Sequence, residues 1–238
     1  MILKDIGMLV AMSPRTRAYS QFMIRSGYLP NYVLLMDDEN NFTDEFQYSS
    51  SFKYGKLFDL HKSIIQTLRE ANIPYEFCST RNPNESAVID LLKTRSEKYI
   101  IYSGPAGIIL RKEILSVGMK FIHIHPGIVP EYKGSTPIYY SILKDEKCGA
   151  TAFFMNEEID SGDIIMQREF DRPTPGEDID YYFDCSMRAT LLKEILDSYV
   201  SKGEFPKETL LQNANEETYF IIHPVLKHIA ILMCQVNN

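Results

Sequence analysis

Two stretches of the chain concentrate side chains able to move a proton or polarise a carbonyl. The first, FIHIHPGIVPEYKGSTP, carries His123 and His125. Two apart, they face the same side of an extended chain. Pro126-Gly127 and Pro130 then stiffen the backbone into a tightly specified loop. The second stretch, NEEIDSGDIIMQ, sets Asp160 ahead of Ser161-Gly162-Asp163 and an apolar run. A carboxylate at such a turn can fold back, reach a histidine and hold its ring. Glu157 and Glu158 read as solvated surface. Residue types alone leave three chemistries open: a metal site, which needs further ligands; hydrogen-bonded caps on a strand end; or an acid–base pair. No third His or Cys stands at a familiar metal spacing, and no metal is expected.

These residues need a frame. Apolar runs at 6–12, 32–36, 74–78, 99–103 and 120–124 read as strands. Helical spacing fits 15–26, 57–70, 85–94 and 111–117, with Asn84 as a candidate N-cap. That alternation predicts an α/β fold: an open, Rossmann-like, mostly parallel sheet with helices on both faces. It puts His123 and His125 at the carboxyl end of a parallel strand, where open α/β sheets bind ligands. The second half reads as a Pro/Gly loop over 125–136, a helix over 137–143, strands at 149–155 and 164–168, and a linker over 171–176. A long helix over 178–201 follows, then a tail that loosens from 204. The chain divides into a catalytic domain over 1–170 and a C-terminal helix and tail over 171–238 packed on it. The polar stretch 37–56, with five acids in 37–46 and serines at 49–51, reads as a long surface loop.

Composition excludes several classes. The 238 residues are 45% apolar and 24% charged, an ordinary globular balance that needs no disulfide or metal for a core. Lys and Arg number 25 against 32 Asp and Glu, a net charge of −7. Nucleic-acid grip needs a basic field, so none is expected. The apolar start, MILKDIGMLVAM, is too short to span a membrane. Four scattered cysteines without a CxxC pair, and no signal peptide at the start, read as reduced thiols in a cytoplasmic protein. After the first strand the text AMSPRTRAYS has no glycine, so a dinucleotide cofactor site is not expected. A phosphate-cradling P-loop and a GxSxG elbow are also missing.

The texts FIHIHPGIVPEYKGSTPIYYSIL and CGATAFFMNEEIDSGDIIMQ resemble the folate-dependent formyltransferases, which include glycinamide ribonucleotide, methionyl-tRNA and sugar N-formyltransferases. The stretch KYIIYSGPAGIILRKEIL at 98–115 resembles the family's folate-pocket strand and loop. The likeness covers about residues 80–200, and weakly the first 36. It implies an enzyme that passes a formyl group from N10-formyltetrahydrofolate to an amine, with an Asn-His-Asp triad. By position the His is His125 and the Asp is Asp160, while His123 stands where the family has Asn. An imidazole can also donate a hydrogen bond to the formyl oxygen, so catalytic roles fall to His125, Asp160 and His123. The resemblance implies a folate pocket of Tyr102, Ser103, Gly104, Gly107, Ile108, Ile109 and Leu110, with Gly162 and Asp163.

Three branches of that family differ in acceptor. The glycinamide ribonucleotide branch has a Gly/Ser-rich phosphate loop after its first strand, where this chain has Ser13-Pro14-Arg15. The methionyl-tRNA branch adds an RNA-binding domain, for which some 35 residues of tail are too few. The expected acceptor is therefore a small-molecule amine, an amino sugar linked to a nucleotide or a precursor of a cell-surface glycan such as lipopolysaccharide O-antigen. Arg15, Arg17 and Tyr19 in the first loop, with Lys133, Gly134, Ser135 and Thr136, are candidate acceptor contacts. Partners beyond that amine are not expected, though a homodimer is left open. The alternatives are a methionyl-tRNA or glycinamide ribonucleotide-type formyltransferase, a non-catalytic binding protein of the same fold, and a metal-dependent hydrolase using His123, His125 and Asp160.

Overall fold

The computed structural model of the protein describes residues 1–40, 42–44, 55–208 and 216–235. The serines at 49–51, and most of the acidic loop expected over 37–56, lie outside the described residues. Strands β1 (Ile2–Val10), β2 (Leu29–Leu35), β3 (Tyr75–Phe77), β4 (Tyr99–Ser103) and β5 (Lys120–His125) alternate with helices α1 (Pro14–Arg25), α2 (Ile64–Glu70), α3 (Ser86–Lys93) and α4 (Lys112–Leu115). Then come β6 (Lys133–Gly134), α5 (Pro137–Asp145), β7 (Lys147–Phe154), β8 (Ile164–Asp171), α6 (Asp184–Lys202), β9 (Thr218–Tyr219) and α7 (Pro224–Met233). The main sheet runs β3-β2-β1-β4-β5-β7-β8. Pairing is parallel from β3 to β5, and β8 returns antiparallel to β7. The expected mostly parallel α/β sheet is thus what forms.

The chain resolves into two compact units. Among described residues the first holds 1–40, 42–44, 57–123 and 154–157, and the second 55–56, 124–153, 158–208 and 216–235. In the first unit, β1 pairs on both edges, and from Ile6 onward both of its faces are buried, which is why that part of its text is a continuous apolar run rather than an alternating one. Leu9, Leu34, Ile100, Tyr102 and Phe121 from the strands meet Val88, Leu92 and Ile114 from α3 and α4 in one core. Each such aliphatic side chain removed from water contributes about 1.5–3 kcal/mol.

The helix expected over 57–70 starts only at Ile64. Ser63 accepts the Gln66 N–H at 3.0 Å as N-cap, and Phe58 and Leu60 are buried from an irregular segment ahead of it. Asn84 is not the cap of α3, a position Glu85 takes without a side-chain bond. Its amide instead bridges the 109–111 loop, donating to the Ile109 carbonyl at 2.9 Å and accepting the Arg111 N–H at 2.8 Å.

In the second unit, α6 buries Cys185, Ala189, Leu192 and Leu196 along one stripe and ends at Gly203 in the left-handed region. The helix expected from 178 begins as a π-helical turn, Ile179–Phe183, whose Asp178 side chain accepts the Tyr181 N–H. The segment after 204 was expected to loosen, yet it forms β9 and α7, the latter opened by Pro224 in its first turn. Among the described residues, no helix is long and apolar enough to cross a membrane.

All four cysteines are buried thiols outside any disulfide. Burial pushes the Cys78 thiol up to about 12, with the Glu76 carboxylate adding to it. Burial likewise raises Cys148 and Cys234. The thiolate is the reacting species, so native protein at pH 8 should release almost no colour with an aromatic disulfide reagent over minutes, and four equivalents once unfolded. Rapid reaction of two or more thiols in the native state would contradict this packing.

Candidate active site

The last residue of β5 is His125, which is 3% exposed. Its Nε2 lies 2.7 Å from the Tyr132 carbonyl oxygen. A carbonyl only accepts, so Nε2 carries the proton. Its Nδ1 lies 3.2 Å from Asp160 Oδ1. Asp160 Oδ2 accepts the Gly134 N–H at 2.9 Å. The pair is therefore gripped at both ends by the backbone of one tripeptide, 132–134. Asp160 reaches back because its own backbone takes a left-handed conformation, φ +48, which Asp tolerates better than most residues.

The loop between His125 and that tripeptide has its own supports. Thr151 on β7, fully buried, donates to the Gly127 carbonyl at 2.7 Å and accepts the Val129 N–H at 3.2 Å. Gln167 on β8 donates to the Val129 carbonyl at 2.6 Å. The Val129–Pro130 peptide is cis. On the far side of the tripeptide runs β9. Lys133 N–H donates to the Glu217 carbonyl at 3.0 Å, and Ser135 N–H to the Tyr219 carbonyl at 2.8 Å. The Lys133 ammonium pairs with Glu216, and the Thr136 hydroxyl accepts the Ile222 N–H. Gly134 sits at φ +92 with the Tyr219 carbonyl so close that a Cβ would lie 2.1 Å from it.

His123 belongs to the first unit, half-buried, its ring 6.3 Å from that of Tyr102. There the expected folate residues cluster at the end of β4. Ser103 accepts from the Arg15 guanidinium at 3.0 Å and shares a hydrogen bond with Thr16 at 2.8 Å, and Arg15 also reaches the Gly104 carbonyl. The Tyr102 hydroxyl is buried and has no hydrogen-bond partner among the described residues. Burial pushes that phenol up to about 12, with Arg15 pulling the other way, so it stays a donor. A Cβ on Gly104 would stand 2.0 Å from the same hydroxyl. Gly107 takes φ +77, Ile108 is half-buried, Ile109 is 52% exposed, and Leu110 belongs to the core.

Arg17 and Tyr19 have other work. Arg17 is buried, with its guanidinium 2.7 Å from Asp44 and bonded to the Lys62 carbonyl, and Tyr19 is fully buried. Both pack α1 rather than face solvent. In the second unit, Gly162 is half-buried and Asp163 exposed just past the Asp160 turn. Tyr132, Thr151 and Gln167 were not singled out in the sequence. Only Thr151 left a trace there, a hydroxyl within the apolar strand text CGATAFF.

Residues 54–178, just over half of the chain, match the formyl transferase family model. The chain belongs to the formyl transferase family. That match takes in His123, His125 and Asp160. A methionyl-tRNA formyltransferase of Clostridioides difficile is 33% identical over 156 residues, 63% of this chain and 48% of that protein. The chain thus spans about half the length of the curated relatives it matches. A sugar N-formyltransferase from a Shewanella species aligns over 96% of this chain and 87% of its own, at a TM-score of 0.58 and 16% identity. A phosphoribosylglycinamide formyltransferase from Anaplasma phagocytophilum aligns over 92% and 98%, at 0.59 and 15%. At such identities these structures speak for the fold of this chain alone.

Proposed function

We propose that this formyl transferase is an N-formyltransferase that moves a formyl group from N10-formyltetrahydrofolate to the amine of a small acceptor, an amino sugar linked to a nucleotide or serving as a cell-surface glycan precursor. The observation that carries this reading is the buried His125–Asp160 pair, 3.2 Å apart, with Nε2–H resting on a neutral carbonyl.

Bound N10-formyltetrahydrofolate supplies an activated formyl carbon open to attack by an amine. On the protein side, His125 is the main donor. At rest its Nε2–H is satisfied by the Tyr132 carbonyl. As negative charge develops on the formyl oxygen, that oxygen becomes the stronger acceptor, because charge-assisted hydrogen bonds are roughly twice as strong as neutral ones. The bond is thus gained only as charge builds, the condition for lowering a barrier rather than merely binding substrate. Asp160 balances the imidazolium, fixes the ring and draws the amine proton away through a water, a proton that is returned to the folate nitrogen as its bond to the formyl carbon breaks. His123 is the second donor, in the place where the family pattern has Asn. The residues at the end of β4 suit a folate ring: the buried Tyr102 phenol has an O–H without a partner among the described residues and packs against Gly104, which leaves room for it by lacking a side chain, and Ile109 offers exposed apolar surface.

The acceptor follows from charge and from the neighbours. The net charge is −7, and Glu216 and Glu217 flank the loop that holds the pair. The overall excess of acid works against gripping a long nucleic-acid backbone, while the two glutamates themselves are paired with Lys133 and Lys144. A sugar N-formyltransferase shares the fold along almost the whole chain. The second reading, methionyl-tRNA as acceptor, is favoured by the names of the curated relatives.

The deciding experiment supplies N10-formyltetrahydrofolate with a panel of nucleotide-linked amino sugars, glycinamide ribonucleotide and methionyl-tRNA, and follows formylated product by mass. Transfer to an amino sugar is expected. Transfer to methionyl-tRNA alone would overturn the acceptor, and folate binding without any transfer would point to a non-catalytic binding protein. Stoichiometric metal whose chelation abolishes activity would support a hydrolase instead.

A further inference from the structure

We propose that the C-terminal strand β9, through Tyr219, is a positioning element for the His125–Asp160 pair; the proposal rests on that pair being the reacting one. Successive residues of a strand present their backbone groups to opposite edges. In 132–135 the two edges have two clients. Tyr132 C=O and Gly134 N–H face His125 and Asp160. Lys133 N–H and Ser135 N–H face Glu217 and Tyr219 on β9, and Glu217 N–H returns a bond to the Pro130 carbonyl at 3.1 Å. The segment is only two residues long as a strand, and the Thr151 and Gln167 supports stop at Val129, so beyond Pro130 its register rests on the β9 ladder together with the bonds of Tyr132 to Ile128 and Asp145. Tyr219 adds side-chain weight: its ring stacks on Tyr132 at 5.6 Å and on Tyr140 at 4.3 Å. Stacked aromatic pairs are worth about 0.5–1.5 kcal/mol beyond the area they bury. A rigid residue 219 therefore fixes the two backbone atoms that hold the catalytic pair, although Tyr219 bonds neither His125 nor Asp160 through any of these contacts.

The test uses the whole chain. Tyr219→Ala removes both stacks, Tyr219→Phe keeps them and loses only the hydroxyl's bond to the Glu217 carboxylate, and Glu217→Pro deletes that bond and one rung of the ladder while leaving both stacking rings in place. The first readout is the ¹⁵N-labelled imidazole N–H of His125, observed by NMR without folate or acceptor. Wild type should show a slowly exchanging N–H at Nε2. Tyr219→Ala should broaden or lose it, and Tyr219→Phe should bring it back. The second readout is kinetic: kcat should fall roughly ten- to a hundredfold in Tyr219→Ala at little change in KM for folate, the loss expected from misplacement of a reacting group. A drop in melting temperature alone, with the His125 signal and kcat unchanged in Tyr219→Ala, overturns the proposal. Should that variant fail to fold, Glu217→Pro decides in the same way. The NMR readout needs no turnover, so a wild type that transfers no formyl group refutes the function while the positioning role is judged separately.

Discussion

His125→Ala is expected to lower formyl transfer by roughly 10³-fold, with far-UV circular dichroism unchanged. The size follows from two losses at once. The variant has no donor at Nε2 for charge developing on the formyl oxygen, and a single preorganised donor is worth roughly 10²–10³ in kcat. It also leaves Asp160 without the ring nitrogen it faces at 3.2 Å. Asp160→Asn is gentler on packing and informative for that reason. Its amide can accept the Gly134 N–H through oxygen only by turning NH₂ toward His125 Nδ1, which then has to accept. With Nε2–H held by the Tyr132 carbonyl, the ring is locked neutral. Loss of roughly 10²-fold or more in kcat is expected from the wrong protonation state. Steady-state kinetics on both variants, beside thermal melts, check this. Near-normal turnover in either one removes His125 and Asp160 from the chemistry.

What could be read from the sequence follows a physical divide. The parallel sheet was legible because β1, β2 and β4 are buried on both faces and so spell continuous apolar text. The His125–Asp160 pairing was legible because a carboxylate at a turn beside a strand end has few places to go. The false start of α2 arose from Leu57 and Leu60, which sit at helical spacing; Leu60 packs from an irregular segment ahead of the Ser63 cap, while Leu57 stays exposed. Asn84 looked like a cap and was drawn off to the 109–111 loop by tertiary contacts. Strand β9 was illegible for another reason. Two residues have no period, and the strand exists only because residues 130–135 offer it backbone partners. The carbonyl of Tyr132, which holds His125, is invisible in principle, since every residue has a carbonyl and only the fold aims this one. Arg17 and Tyr19 show the reverse: chemically suggestive in text, they lie buried in α1 packing.

Gly134→Ala should be as damaging as removing a reacting side chain, though it deletes nothing. At φ +92 a side chain is strained in any surroundings, a cost of roughly 1–2 kcal/mol. The surroundings add more. The new Cβ would lie 2.1 Å from the Tyr219 carbonyl oxygen and 3.1 Å from its nitrogen. Both are backbone atoms, with no rotamer to change, so either β9 or residues 133–135 must move. Movement of β9 releases the Lys133 and Ser135 rungs, and movement of residues 133–135 draws the Gly134 N–H off Asp160. Either way the carboxylate loses its register against His125. Misplacement by about 1 Å is enough to cost roughly 10²-fold in rate. The expected result is a kcat loss of that order, a melting temperature several degrees lower as about 1–3 kcal/mol is lost, and folate binding retained because Tyr102, Ser103 and Gly104 are untouched. A variant melting like wild type and turning over within about twofold of it would mean that the tripeptide at 132–134 does not set the geometry of the pair.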